Sequence, residues 1–351
     1  FAAEIAGHYR EGAGWLLGMD VAVFARSAGA PEAGVLGMEN LRYVFFEQRA
    51  EKGQDENAAT FSFAGPRRGL ASWLAAPGAE ASAEYVSSGA VAALALSVRD
   101  PRQTIEEIFS SVTGIPADLA RFEAETGVNV STEIAGSLGA DFTLAVERPS
   151  LPVPGWIAAI EVVHPAVLDG ALRRIVDAYN ARLTGAAGAP RMMLKQEEVN
   201  GRRWTVLEAG AIPAALYWTY DRGYLIASTD RALAARAIST RGTSGSLTRS
   251  LKFTERYPHT GSLHHSGFLW LNANDVVADL SSLAANPRLK ALMENRDPLL
   301  IILDGERERI RAASRSRFTS LVLDALLMQG AGEAGRGGEG RGVTKKLKSR
   351  L

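Results

Sequence analysis

The sequence predicts an α+β fold in which antiparallel hairpins and meanders alternate with strand-to-helix units, organised as two related halves. Three observations carry this reading. Hairpin-type dipeptides separate β-compatible runs, helix-capping residues stand at the ends of strands, and one arrangement of strands and helix occurs twice along the chain.

Met192–Val199 and Arg202–Glu208 flank Asn200-Gly201. Asn-Gly favours a type I′ turn, because both central residues of that turn need positive φ. Ala214–Tyr220 and Gly223–Ser228 follow around Asp221-Arg222-Gly223, so the region predicts a four-stranded antiparallel meander. Its last strand meets Asp230, whose carboxylate can accept from the free N–H groups of a helix containing Leu233, Ala234 and Ala237.

Similar junctions occur elsewhere. Ala90–Val98 leads through Asp100-Pro101-Arg102-Gln103, with Asp at the N-cap, Pro at the first helical position and Gln three residues in, to a stripe of Ile105, Ile108 and Phe109. Trp156–Val163 leads through His164-Pro165 to a helix with Leu168, Leu172 and Val176, and Gly267–Leu271 leads through Asn274 or Asp275 to another. Beyond Pro298, Leu299–Leu303 and Arg307–Ala313 flank Asp304-Gly305 and predict a further hairpin, with a helix from about Thr319 to Met328 after it.

The repeated arrangement reads Leu-Gly, strand, Glu and Arg, loop, strand, helix. It begins at Leu36-Gly37 and again at Leu138-Gly139. The predicted organisation is an N-terminal segment over 1–19, a first α+β half over 20–120 and a second over 121–285. A C-terminal hairpin and helix over 286–329 and a flexible glycine-rich basic tail over 330–351 complete it.

Composition narrows the function. The chain has 351 residues, 39 basic and 39 acidic, and its neutrality argues against a general nucleic-acid binder. The absence of cysteine removes disulfides, thiolate metal sites and cysteine nucleophiles. No apolar run approaches the roughly 20 residues of a membrane-spanning helix, so no transmembrane segment is expected in this chain.

No catalytic, cofactor-binding or metal-ligating residues are assigned from the sequence, and no cofactor is expected. Gly330-Ala331-Gly332-Glu333-Ala334-Gly335 matches the dinucleotide glycine pattern, but it follows a predicted helix instead of linking a strand to a helix. His264-His265 on a strand would point to opposite faces and could not chelate one ion as strand neighbours. Arginines offer the clearest anion or partner contacts. Arg67 and Arg68 lie in the loop Gly65-Pro66-Arg67-Arg68-Gly69 before a predicted helix, and Arg307, Arg309 and Arg311 alternate along a predicted strand. Against this stands the expectation that Glu306 and Glu308 mix with them on an edge strand, where charge discourages aggregation.

Several phrases taken together resemble a known group. Gly14-Trp15-Leu16-Leu17-Gly18-Met19-Asp20, Gly65–Leu74, Leu138-Gly139-Ala140-Asp141-Phe142 and Asp221-Arg222-Gly223-Tyr224-Leu225 resemble uncharacterised bacterial, especially acidobacterial, proteins. That group is related to a domain-of-unknown-function family of envelope proteins. The resemblance covers about residues 10–325 and implies export to the periplasm or cell envelope, with no activity and no functional residues attached.

The resulting expectation is a non-enzymatic envelope or accessory protein that binds a protein partner or forms part of a larger complex, with sheet edges as available surfaces. The alternatives are a carrier for a lipid or small apolar ligand, and a hydrolase whose dispersed site would gather His164, His259, His264 or His265 with distant carboxylates.

Overall fold

The computed structural model describes residues 1–21, 23, 40–51, 54–78, 80–111, 115–148, 154–183, 190–210, 215–258, 264–272 and 297–315. Among them are thirteen strands: β1 (Trp15–Asp20), β2 (Leu41–Glu51), β3 (Gln54–Phe63), β4 (Ala92–Ser97), β5 (Leu138–Arg148), β6 (Gly155–Val162), β7 (Met192–Val199), β8 (Arg202–Ala209), β9 (Ala215–Asp221), β10 (Tyr224–Ser228), β11 (Gly267–Leu271), β12 (Leu299–Gly305) and β13 (Arg309–Ser314). The helices are α1 (Ala2–Arg10), α2 (Leu70–Trp73), α3 (Pro101–Ser111), α4 (Ile115–Thr126), α5 (Pro165–Arg182), α6 (Arg231–Thr240) and α7 (Leu251–Thr254).

All thirteen strands join one antiparallel sheet in the order β1-β2-β3-β13-β12-β11-β4-β5-β6-β10-β9-β8-β7. The strands from β4 to β10 are contiguous in the sheet, and they separate β3 from β11 in sequence. Both predicted halves therefore share a single sheet, whose two outer edges are β1 and β7.

Ladder partners define two faces of different character. On the inner face, Ile302, Phe268, Ala95, Thr143, Ala159 and Ile226 stand opposite one another in succession and are buried. Helix α6, Phe253 of α7 and the short 3-10 turns Ser82–Tyr85 and Leu247–Arg249 contribute to the core on this face. Alanines at 83, 93, 95, 145, 159, 234 and 237 keep the layers close, while Trp270, Tyr85 and Phe268 supply the largest fully buried groups. Trp270 also donates its Nε1–H to the Ala90 carbonyl at 3.0 Å, which satisfies its one polar atom. On the outer face the neighbouring row Leu269, Leu94 and Leu144 is 38%, 39% and 53% exposed.

Local chemistry explains the element ends. Asn200 and Gly201 have φ of 54° and 72°, and Arg222 and Gly223 have 48° and 85°, as the two tight hairpins of the β7–β10 meander require. Asp230 Oδ1 accepts from the N–H groups of Ala232 (2.9 Å) and Leu233 (3.3 Å) at the start of α6. Asp100 Oδ1 accepts from Arg102 N–H at the start of α3, and Pro165 opens α5 without a side-chain cap from His164.

Three features differ from the sequence reading. The first is that α1, β1 and α4 form where no element was expected, and α4 runs across the boundary expected between residues 120 and 121. The second is the turn between β12 and β13, which comprises Glu306–Glu308. Asp304 and Gly305 remain in the ladder, opposite Arg311 and Ile310. The third is that β13 is not an edge strand; it lies between β12 and β3. Its arginines are tolerated there because acidic side chains meet them, as described below. Leu36-Gly37, the helix expected after Asn274, the helix expected at Thr319–Met328 and the glycine-rich tail lie outside the described residues.

Candidate functional site

Among the described residues, an open cleft of about 870 Å³ lies between α6 and the end of the sheet formed by β7, β8 and β9. Strand alternation places Arg202 and Trp204 on the inner face of β8, and Tyr217 joins them because it pairs with Val206. Across the cleft, Arg231, Ala235 and Ile238 recur at helical spacing along α6, beside Arg236, while Leu233, Ala234 and Ala237 bury the opposite stripe. The β7–β8 turn closes one end with Val199 and Asn200.

The floor is apolar and aromatic, and the rim is cationic. Trp204 is buried under the cleft; Tyr217 and Ile238 are half-buried along it. The Arg231 guanidinium lies 5.8 Å from the centre of the Tyr217 ring and 2.9 Å from Glu197 Oε2. Arg202 is held by Asp221 Oδ1 at 3.1 Å and by the Tyr220 carbonyl. Arg236 is exposed and forms no ion pair among the described residues. It also borders a smaller hollow of about 310 Å³ on the other flank of α6, where Glu147 accepts from Ser87 N–H and Oγ–H. Asp230, the acid of the cleft, is committed to capping α6. Such a surface can hold an apolar side chain against the aromatic floor and a carboxylate or phosphate on the rim.

A second polar group is buried where β11 and β12 meet the segment before the Ser82–Tyr85 turn. Glu80 Oε2 stands 2.9 Å from His265 Nε2, in ion-pair range but not aligned as a hydrogen bond, and His265 Nδ1 lies 2.9 Å from Tyr257 Oη. The Glu80 side chain is 3% exposed. Burial raises the Glu80 carboxyl above its usual range, Asp141 and Asp304 add to this, and His265 opposes it. Burial likewise raises Asp304, against the pull of Arg311 and His265, and pushes the Tyr257 phenol up to about 12. Nearby, Asp141 accepts from Ser82 N–H at 2.8 Å, from Ser82 Oγ–H and from Tyr224 Oη–H at 2.9 Å. It is a fully hydrogen-bonded buried carboxylate.

The arginines singled out from the sequence are not brought together. Arg67 is buried, and its guanidinium donates to three backbone carbonyls, those of Glu306 (Nε, 2.5 Å), Ala71 (Nη1, 2.5 Å) and Leu74 (Nη2, 2.8 Å). It clamps the loop around α2 to the β12–β13 turn. Arg68 is exposed, and Arg307 is exposed in that turn. Arg309 pairs with Glu306 at 2.7 Å, and Arg311 lies 3.3 Å from Glu56 and 3.9 Å from Glu47. Glu47 also meets His8 at 2.8 Å and Arg49 at 3.0 Å, so Arg311 belongs to a buried ion network under α1, while Arg309 and Glu306 form an exposed pair.

Among the described residues, His8, His164 and the adjacent pair His264-His265 lie in separate places. His8 belongs to that network, His164 precedes α5, His265 contacts Glu80, and His259 lies outside the described residues. Among the described residues no group of three or more His, Asp or Glu could hold a metal ion, and no helix is long and apolar enough to cross a membrane. No family model, no curated protein and no solved structure matches this chain.

Sequence reasoning did not find the cleft. Its signals were the i, i+4, i+7 spacing of Arg231, Ala235 and Ile238 and the alternation of Arg202 with Trp204, which acquire meaning only once α6 is known to cross β8 and β9.

Proposed function

We propose that this chain is a non-enzymatic binding protein and that the cleft beside α6 receives a segment of a protein partner. The occupant places an apolar side chain over Tyr217 and Ile238 and a carboxylate against Arg236. The observation that supports this reading is the pairing of an aromatic floor with an exposed guanidinium that forms no ion pair among the described residues. A carrier for a wholly apolar ligand is less well supported, because the cleft is open and three arginines border it. An envelope setting rests on the sequence resemblance.

The test is selection of displayed random peptides on the full chain, followed by fluorescence anisotropy of those enriched. The expected result is a consensus with an acidic residue near an aromatic or aliphatic one. Arg236→Glu should weaken its binding at least about tenfold, because attraction becomes repulsion at the rim. Tyr217→Ala should also weaken it, with some loss of stability because the ring packs against the core as well. Enrichment of no peptide, or binding indifferent to both substitutions, contradicts the proposal.

We further propose that the sheet arose by duplication. Supporting this, the meander β1-β2-β3 lies beside β13-β12-β11 much as β4-β5-β6 lies beside β10-β9-β8-β7. The second unit would then be inserted between β3 and β11.

A further inference from the structure

The two outer edges of the sheet are built differently. Strand β7 carries Lys195, Glu197 and Glu198, all exposed, and the Asn180 side chain binds both the N–H and the C=O of Met192 at its start. Charge and a side-chain clamp of this kind discourage pairing with another chain. Strand β1 reads Trp-Leu-Leu-Gly-Met-Asp, with no charge before Asp20, and pairs only with β2 among the described residues. Its inner face is closed by α1 and Phe1. Phe45 and Phe1 lie so close over Gly18 that a Cβ there would fall 2.7 Å and 3.1 Å from them. On its outer face Trp15 is 42% and Leu17 40% exposed.

From this asymmetry we propose that β1 is a homodimerisation edge, at which β1 of a second copy adds antiparallel about a two-fold axis. The partner is chosen by register. Antiparallel pairing sets residues of the same face opposite one another, so the faces match with Leu17 on the axis, Trp15 opposite Met19, and Leu16 opposite Gly18. That register joins Trp15, Leu17 and Met19 of both copies into one apolar strip on the outer face, extending the cluster of Val44, Phe46 and Ala59. Leu16 meets the residue without a side chain, and no like charges are opposed. Pairing consumes in both copies the edge that is unpaired among the described residues and leaves only the guarded β7 edges outside, so assembly closes at two copies instead of growing. The seam, five residues of each β1, is short, which places the dimer in the weak, concentration-dependent class. This inference is independent of the cleft beside α6, which lies at the opposite end of the sheet.

The test uses the full chain, whose lack of cysteine makes crosslinking specific. Analytical ultracentrifugation over a concentration series should show a mass rising from 37.5 kDa to twice that value. Leu17→Lys, at an exposed side chain, should weaken the dimer at least about tenfold by opposing two ammonium groups on the axis. Leu17→Cys should form an interchain disulfide under mild oxidation, because directly opposed residues of an antiparallel pair stand about 4.5–5.5 Å apart at Cα, within disulfide range. Leu144→Cys, more exposed but mid-sheet, is the control and should stay monomeric. A monomer at every concentration, a dimer that Leu17→Lys leaves intact, or crosslinking at Leu17→Cys no faster than at Leu144→Cys would each overturn the proposal.

Discussion

Arg67 is expected to be a stability residue and to have no part in anion binding, and Arg67→Ala measures this. The side chain is 4% exposed, and its three nitrogens donate to the carbonyls of Glu306, Ala71 and Leu74. Hydrogen bonds from a charged donor contribute about 1.5–3 kcal/mol each, for a gross contribution of roughly 5–9 kcal/mol. Against this stands the cost of burying a guanidinium that touches no carboxylate, several kcal/mol in itself. Burial accordingly lowers the affinity of Arg67 for its proton, and Arg99 acts in the same direction. Truncation removes both contributions but leaves three carbonyls to be reached by water, so the expected loss is about 3 kcal/mol. With a urea dependence of about 3 kcal/mol per molar for a chain of this size, the midpoint should fall by about 1 M. Arg68→Ala, at an exposed neighbour, should stay within about 0.5 kcal/mol of wild type. An Arg67→Ala midpoint equal to wild type, or an equal loss in Arg68→Ala, would refute the reasoning.

Other outcomes follow from single contacts. Gly267→Ala places a Cβ 2.6 Å from the Ala95 carbonyl oxygen in the neighbouring strand, where the backbone cannot yield cheaply. It should cost about 1–3 kcal/mol by calorimetry, and an unchanged melting temperature would contradict it. Asp230→Ala removes the cap of α6 and should cost about 1 kcal/mol, read from the urea midpoint. Glu80 and Asp304 have folded-state pKa values above their ordinary 4.5 and 3.8. The native state therefore holds these protons more tightly than the unfolded state. Their contribution is most favourable below the ordinary values and is lost as pH rises from there through the raised folded values. Glu80→Gln should remove part of this dependence, matching wild type near pH 4 and melting at or above it near pH 8. A variant that falls further below wild type as pH rises would show instead that His265 stabilises Glu80 as a carboxylate.

What the sequence revealed was short-range. Asn200-Gly201 and Arg222-Gly223 specify hairpins because their backbones must reach positive φ, and Asp230 and Asp100 cap helices through bonds two or three residues away. The strand order could not be read in this way, because β3 meets β13 and β4 meets β11 across long stretches of chain with no local signal. The same limit misled the reading of the arginines. Alternation correctly put Arg309 and Arg311 on one face, yet whether that face met solvent or Glu56 and Glu47 depended on a strand far away in sequence. Arg67 looked like a loop cation and proved to be a buried clamp for the same reason. Trp204 falls within the strand expected over Arg202–Glu208, but the cleft above it required the crossing of α6 over the β7–β9 strands.

The central claim, that the cleft beside α6 is the binding seat, is tested most directly by hydrogen–deuterium exchange of the full chain with and without an enriched peptide. The account predicts slowed exchange in 199–204, 215–218 and 229–239, with β1 and the Arg67 loop unchanged. Protection elsewhere with none in those segments would contradict it.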